Sequence, residues 1–276
     1  MRIVKVEIDN FKGIKHLKAD TNADIVVVEG AKGSGKTGFF EAIYYCFSGM
    51  NTRFCYDIFE EQNARVLVWV SNGNKEYGLE IMSNNENKES QRIFNIYENG
   101  HKRTLALHEY LEFIKNNIVY GLYFNENFIS CDSFWGIRKY KYKFFYNKTK
   151  EINDMVKKYG FPIPNRSLVF DDYGYYLVDN NGNCVSGGFY SAGDNVLRKL
   201  VGQLMIIKHL EQKGGENPIF IDDVFYVIDS FYCLNMCEYF EKFNNQFFLT
   251  NFKDNELFFN KQKKVIKVDI DKLNIF

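Results

Sequence analysis

The run Ile25-Val-Val-Val-Glu-Gly-Ala-Lys-Gly-Ser-Gly-Lys-Thr37 leaves a chain little choice of fold. Four successive β-branched residues read as a parallel strand covered on both faces. They feed into Gly30 to Thr37, which has the spacing G-x-x-x-x-G-K-[ST]. Beyond it, Phe39, Phe40, Ile43, Tyr44 and Phe47 recur at helical intervals until Ser48-Gly49 closes the helix. Strand, glycine loop and helix together make a phosphate cradle, because glycines let backbone N–H groups converge and the helix start adds its positive end. Lys36 would reach the β and γ phosphates, and the Thr37 hydroxyl would be a magnesium ligand. A chance glycine-rich turn is the alternative, and the flanking strand and helix argue against it.

Composition sets the outer limits. The chain has 276 residues, 46% hydrophobic and 25% charged, enough to bury about three quarters of its unfolded surface. Lys+Arg and Asp+Glu both total 35, so no global field draws it to nucleic acid or an anionic membrane, and any such binding must be local. No apolar run approaches the ~20 residues of a membrane helix. With no signal-like start and no paired CxxC spacing among six cysteines, the expected compartment is a reducing cytoplasm. Cys233 and Cys237, four apart on a predicted helix, read as ordinary buried thiols.

Along the chain, Arg2 to Ile8 alternates as a half-exposed strand ahead of Asn10-Phe11-Lys12-Gly13. Residues 66–107, with turn signals at Asn72-Gly73 and Asn99-Gly100, read as an antiparallel β subdomain. Residues 133–162 read as a short helical arm ending at Pro162 and Pro164, and Tyr175 to Val178 with Asn180-Asn-Gly182 as a hairpin. The stretch 185–276 alternates helix and strand: a helix opening at Ser191-Ala-Gly-Asp194, a buried strand Pro218 to Ile221 ending in Asp222-Asp223, a helix near 230–243, a strand Gln246 to Thr250, and a strand Val265 to Ile270. One α/β domain over 1–276 is expected. Asp222 at the strand tip would hold magnesium, and Asp223 would orient an attacking water; a solvated acidic pair is the alternative.

With these residues in place, the sequence resembles the ATP-binding-cassette ATPase heads of the SMC, RecF and RecN type. The likeness rests on Asn10-Phe11-Lys12-Gly13, the Walker A loop, Ser191-Ala192-Gly193-Asp194 as signature motif, Asp222-Asp223 as Walker B and Asp229 as the D-loop residue. Phe124-Asn125-Glu126-Asn127-Phe128-Ile129 and the paired aspartates look most like the ATPase portion of the PrrC and RloC anticodon nucleases. The resemblance implies a P-loop NTPase fold, with a mixed or parallel sheet flanked by helices, an antiparallel subdomain and a short helical insertion. It implies ATP and Mg2+ held by Gly30, Lys32, Gly33, Ser34, Gly35, Lys36, Thr37 and Gly38, with Asn125 in the place of the Q-loop glutamine, sensing magnesium and the γ phosphate. It also implies a homodimer in which Ser191, Gly193 and Asp229 cap the nucleotide of a second copy.

Three departures from the family pattern matter, the first two for turnover. Asp223 stands where most of the family carry Glu, which sets a water back by about an ångström and costs on the order of a hundredfold. Asn251-Phe252 stand where a switch histidine is usual, and neither titrates as His does. The insertion is too short for a long coiled coil.

Arg138 to Lys150 carries six cations and no acid, interleaved with aromatics and preceded by Trp135. Two readings stand. Arg138, Lys139, Lys141 and Lys143 would form a docking arm for DNA, RNA or a partner, or a helical pair would pack its rings and leave its lysines in water. Arg103 and His108 have a spacing reminiscent of small RNase sites but fall in the predicted β subdomain. His16, His101 and His209 read as surface residues, and Lys261-Gln-Lys263-Lys264 as a solvated turn. The functional expectation is a slow ATPase that dimerises on ATP and clamps nucleic acid or gates a separately encoded effector or nuclease, in antiphage defence or DNA repair. The rivals are a non-hydrolysing ATP sensor or scaffold and, with no sequence support, a P-loop kinase.

Overall fold

In the computed structural model, which describes residues 1–49, 64–84, 91–118, 128–130, 148–171, 174–185, 192–211, 215–225, 228–250 and 263–273, two sheets enclose one central helix. The first sheet is antiparallel, in the order β2-β1-β4-β5-β6-β7. Its strands are β1 (Arg2–Phe11), β2 (Ile14–Asp20), β4 (Arg65–Asn72), β5 (Lys75–Asn84), β6 (Gln91–Glu98) and β7 (His101–Leu105). The second is parallel, in the order β13-β3-β12-β11-β8. It consists of β3 (Ile25–Glu29), β8 (Phe128–Ser130), β11 (Ile219–Asp222), β12 (Phe247–Thr250) and β13 (Val265–Asp269). A separate hairpin pairs β9 (Arg166–Asp171) with β10 (Gly174–Asp179). The helices are α1 (Lys36–Ser48), α2 (Leu107–Asn117), α3 (Thr149–Tyr159), α4 (Ala192–Glu211), α5 (Ser230–Phe240) and α6 (Ile270–Leu273).

The continuous apolar run of β3 has a physical cause in this layering. Val26 and Val28 face a core shared with α1 and the antiparallel sheet, while Ile25 and Val27 face a second core built with α3, α4, α5 and the β9–β10 hairpin. A strand buried on both sides has no position left for a polar residue. On the first face, Phe40 of α1 packs edge-on against Phe220 at 5.5 Å between ring centroids, and Phe220 stacks on Phe248 at 4.9 Å. The two sheets are stitched by the buried Gln246 side chain, whose Nε2 donates to the Ile3 and Thr21 carbonyls at 2.9 and 2.7 Å, and whose Oε1 accepts from Ile3 N at 2.7 Å. The Asn99-Gly100 turn has φ of 52° and 79°, the left-handed pair a two-residue hairpin needs.

The structure departs from these expectations at four places. Ile14–Asp20, whose apolar residues do not keep a strict alternation, forms the edge strand β2. Tyr175–Val178 pairs with the preceding segment Arg166–Asp171 as well as across the 180–182 turn, where the antiparallel bridge Val178–Cys184 is flanked by Asp179 N to Asn183 O at 3.0 Å and Val185 N to Leu177 O at 2.9 Å. His209 is not a surface residue: it is 4% exposed, on the face of α4 covered by α3, with Nδ1 3.5 Å from Glu151. Lys263 and Lys264 do more than line a solvated turn, since Lys263 Nζ donates to the Phe243 carbonyl at 2.8 Å and Lys264 N to Asp24 at 2.8 Å. Among the described residues no helix is long and apolar enough to cross a membrane.

Candidate functional site

The loop between β3 and α1 is shaped by its glycines. Gly30 and Gly35 have φ of 151° and 103°, and both are crowded: a Cβ on Gly30 would lie 2.4 Å from Ser34 Oγ, and one on Gly35 would lie 3.1 Å from Ile14 Cγ1. Gly33, at φ 84°, has open space and needs glycine for its backbone alone. Ser34 N donates to the Ala31 carbonyl at 3.1 Å, curling the loop, and Phe39 N to the Gly35 carbonyl at 2.8 Å starts the helix. Gly35 is the N-cap residue, no side chain caps α1, and no acid sits in its first turn, so its N-terminal dipole faces the loop uncompensated. Lys36 is buried, with Nζ donating to the Gly30 and Ala31 carbonyls at 2.8 Å each. Among the described residues, Ser34 Oγ is buried with no hydrogen-bond partner. A glycine cradle with an orphaned hydroxyl and a buried ammonium fits a phosphate group. Lys32 is exposed at the loop, while Gly38 is buried under Lys12 of the β1–β2 turn, whose ammonium pairs with Glu41.

Opposite the loop, at the tip of β11, Asp222 is 4% exposed. Its Oδ2 accepts from Thr37 Oγ1 at 2.9 Å and its Oδ1 from Thr250 Oγ1 at 2.8 Å. Burial pushes its carboxyl above the usual 3.8; the Thr250 and Thr37 hydroxyls oppose this, and the charges of Asp223 and Glu41 add to it. A hydroxyl and a carboxylate brought together from residues 37 and 222 are the hard oxygen donors Mg2+ takes, usually with waters and substrate phosphates completing its shell. The donor set therefore fits such an ion. Asp223 is exposed and left-handed at φ 55°, and its N donates to Thr250 Oγ1 at 2.8 Å. Thr250 was missed by sequence reasoning. Its only signal is a position at the end of the strand that runs parallel to β11, with Leu249 beside Ile221.

A second cluster joins the starts of α4 and α5. Gly193 lies in the first turn of α4, and Asp229 caps α5 by accepting Tyr232 N at 3.0 Å. Between them Asp194, 4% exposed, accepts from Tyr232 OH at 3.1 Å and lies 3.6 Å from Arg166. Asp194 and Tyr232 were not singled out as a pair in the sequence. Ser191, Asn125, Trp135, Arg138, Lys139, Lys141, Lys143, Asn251 and Phe252 lie outside the described residues. Arg103 pairs with Glu98 at 3.2 Å and covers the Phe113 ring, while His108 is exposed on α2. Cys237 is buried and Cys233 half-buried, and burial raises both thiols.

A glycine loop entering a helix between two sheets, faced by a strand-tip aspartate, is the arrangement of the P-loop fold found in SMC heads and RecF. The SMC head domain from Thermotoga maritima aligns with 91% of this chain and 89% of its own, at TM-score 0.62 and 14% identity. An SMC head bound to the C-terminal winged-helix domain of ScpA aligns over 92% and 91%, at TM-score 0.68 and 16% identity. The recombination mediator RecF with ATP aligns over 97% of both chains, at TM-score 0.56 and 16% identity. A family model described as AAA domain matches residues 5–162, more than half of the sequence, and the chain belongs to that family.

Proposed function

We propose that this chain binds Mg-ATP in the Gly30–Thr37 loop, and that two copies associate on it, each lending Ser191 and the amides after it to the triphosphate held by the other. The observation that carries the reading is the meeting of Thr37 and Asp222 at 2.9 Å beside the buried Lys36. Bound Mg2+ would neutralise phosphate charge and polarise the γ-phosphoryl group. Lys36 leaves its loop carbonyls for the β and γ oxygens, Asn125 meets the γ edge, and Asp223 orients water for attack on the γ phosphorus as the bond to the β–γ bridging oxygen breaks. Hydrolysis then removes the contact that joins the copies.

The ScpA-bound SMC head is a precedent for a head with a separate protein partner, and by analogy this dimer gates a separately encoded effector or nuclease, or clamps DNA or RNA through Arg138, Lys139, Lys141 and Lys143. Antiphage defence and DNA repair are the settings proposed. The second reading, an ATP sensor without useful turnover, is favoured by the short, solvent-facing Asp223 at φ 55°. Light scattering with a non-hydrolysable ATP analogue tests the dimer. The native chain should double in mass, whereas Ser191→Arg should bind nucleotide and stay single; a Ser191→Arg chain that still pairs would refute the mechanism. Phosphate release by the native chain and by Asp223→Ala separates the two readings.

A further inference from the structure

The strand β13 runs parallel to β3 with Asp269 beside Glu29, so it ends where the phosphate loop begins. Ile270, fully buried in the core shared with α1, anchors the turn into α6. Asp269 holds the following residues by accepting from Lys272 N at 3.3 Å and Lys272 Nζ at 2.9 Å. This fixes the residue in between. Asp271 Oδ2 accepts the backbone N–H of Ala31 at 2.6 Å, and it lies 3.4 Å from where a Gly30 Cβ would stand.

Ala31 is therefore gripped from both sides, and Gly30 from one. Their carbonyls accept from Lys36 Nζ, and the Ala31 amide donates to Asp271. A carboxylate beside a phosphate loop is electrostatically unfavourable for an incoming polyphosphate, so its placement calls for a compensating role. When Lys36 turns to a phosphate, the Gly30 and Ala31 carbonyls lose their common donor; Ala31 O keeps Ser34 N within the loop, and the Asp271 contact ties Ala31 to the end of β13 without depending on that lysine. We propose that Asp271 is a positioning residue for nucleotide binding, which holds Ala31 in place so that the amides of residues 33–37 stay converged once Lys36 engages phosphate. The proposal rests on the loop's being a triphosphate site. It acts through a backbone amide and makes no contact with the nucleotide.

The test is calorimetric titration of the full chain with Mg-ATP and Mg-ADP. Asp271→Ala should weaken both by about 5- to 30-fold, less than the full worth of a charge-assisted hydrogen bond because the contact is exposed. Asp271→Asn keeps an acceptor oxygen for Ala31 and sheds the repelling charge, so it should bind within about threefold of the native chain or more tightly. The Ala31 amide proton, followed by NMR without nucleotide, should lie downfield in the native chain, stay there in Asp271→Asn and move upfield in Asp271→Ala. That resonance is read on the native protein and decides the hydrogen bond even if a variant folds poorly. Undiminished affinity in Asp271→Ala, or an Asn variant as weak as Ala, overturns the proposal while leaving the phosphate site standing. A native chain that binds no nucleotide overturns the phosphate-site reading itself.

Discussion

Asp222 at the tip of β11 and Glu80 on the outer face of the antiparallel sheet are both buried carboxylates, 4% and 2% exposed, with opposite electrostatic surroundings. Glu80 is met by Arg65 Nε at 2.7 Å, Asn95 and Tyr97 at 2.9 Å each, and Lys102 at 3.1 Å. Burial pushes its carboxyl up, but these donors outweigh it and hold it below 4.5. Asp222 is met by two hydroxyls and lies near a second acid, and burial leaves it above 3.8. A structural carboxylate brings its own cations. One left with neutral donors in a packed interior is costly in isolation and is relieved by a cation that arrives from outside.

The largest expected effect breaks the symmetry between the two. Asp222→Asn should lower magnesium-dependent ATP affinity by at least about a hundredfold, since a charged ligand is replaced by a neutral one. In the same variant, without nucleotide, Tm should rise, because a desolvated charge has been removed. A fall in both would mean that Asp222 is structural, like Glu80.

The converse substitution, Glu80→Gln, should cost about 2–3 kcal/mol in denaturant unfolding, since it leaves the partly exposed Arg65 and Lys102 without their shared buried acid. Nucleotide titration should not change. Arg65 retains Glu7 and Asp9 at 3.4 and 3.3 Å, which keeps the loss below that of a fully isolated pair.

Thr250 sharpens the contrast at smaller scale. Its hydroxyl donates to Asp222 and accepts from Asp223 N, so one side chain supports both the acid at the magnesium position and the left-handed turn that aims its neighbour. Thr250→Val should reduce phosphate release by about tenfold while ATP affinity stays within about threefold, and Thr250→Ser should restore release. Equal losses in affinity and release would place Thr250 in binding and not in the positioning of Asp223.

What the sequence disclosed follows from which constraints are local. The Ile25–Val28 run, the Gly30–Thr37 loop and Asp222-Asp223 were legible because a covered strand and a phosphate cradle each need a contiguous residue pattern. Thr250 and Asp271 were not, because their partners lie 28 and 240 positions away and only the parallel pairing of β11 with β12 and of β13 with β3 brings them near. The strand β2 escaped for another reason. At the sheet edge its burial pattern, two exposed residues after Ile14 and single ones later, does not keep a strict period of two.

The smallest expected effect is one of pH, and it has opposite signs at the two acids. A carboxyl raised in the folded state binds more protons there than in the unfolded chain, so its contribution to stability grows as pH falls from neutral through its raised value toward 3.8. A lowered carboxyl does the reverse: the stabilisation from Glu80 is full above 4.5 and is lost as pH falls through its lower folded value. The stability difference between the native chain and Asp222→Asn should therefore narrow on acidification toward 3.8, and that between the native chain and Glu80→Gln should narrow only below 4.5. Saturating Mg-ATP should reverse the first trend, since a cation at Asp222 favours its charged form and makes acidification costly there. If the pH dependence of the difference between the native chain and Asp222→Asn is indifferent to Mg-ATP, the carboxylate does not face the metal and the contrast with Glu80 is lost.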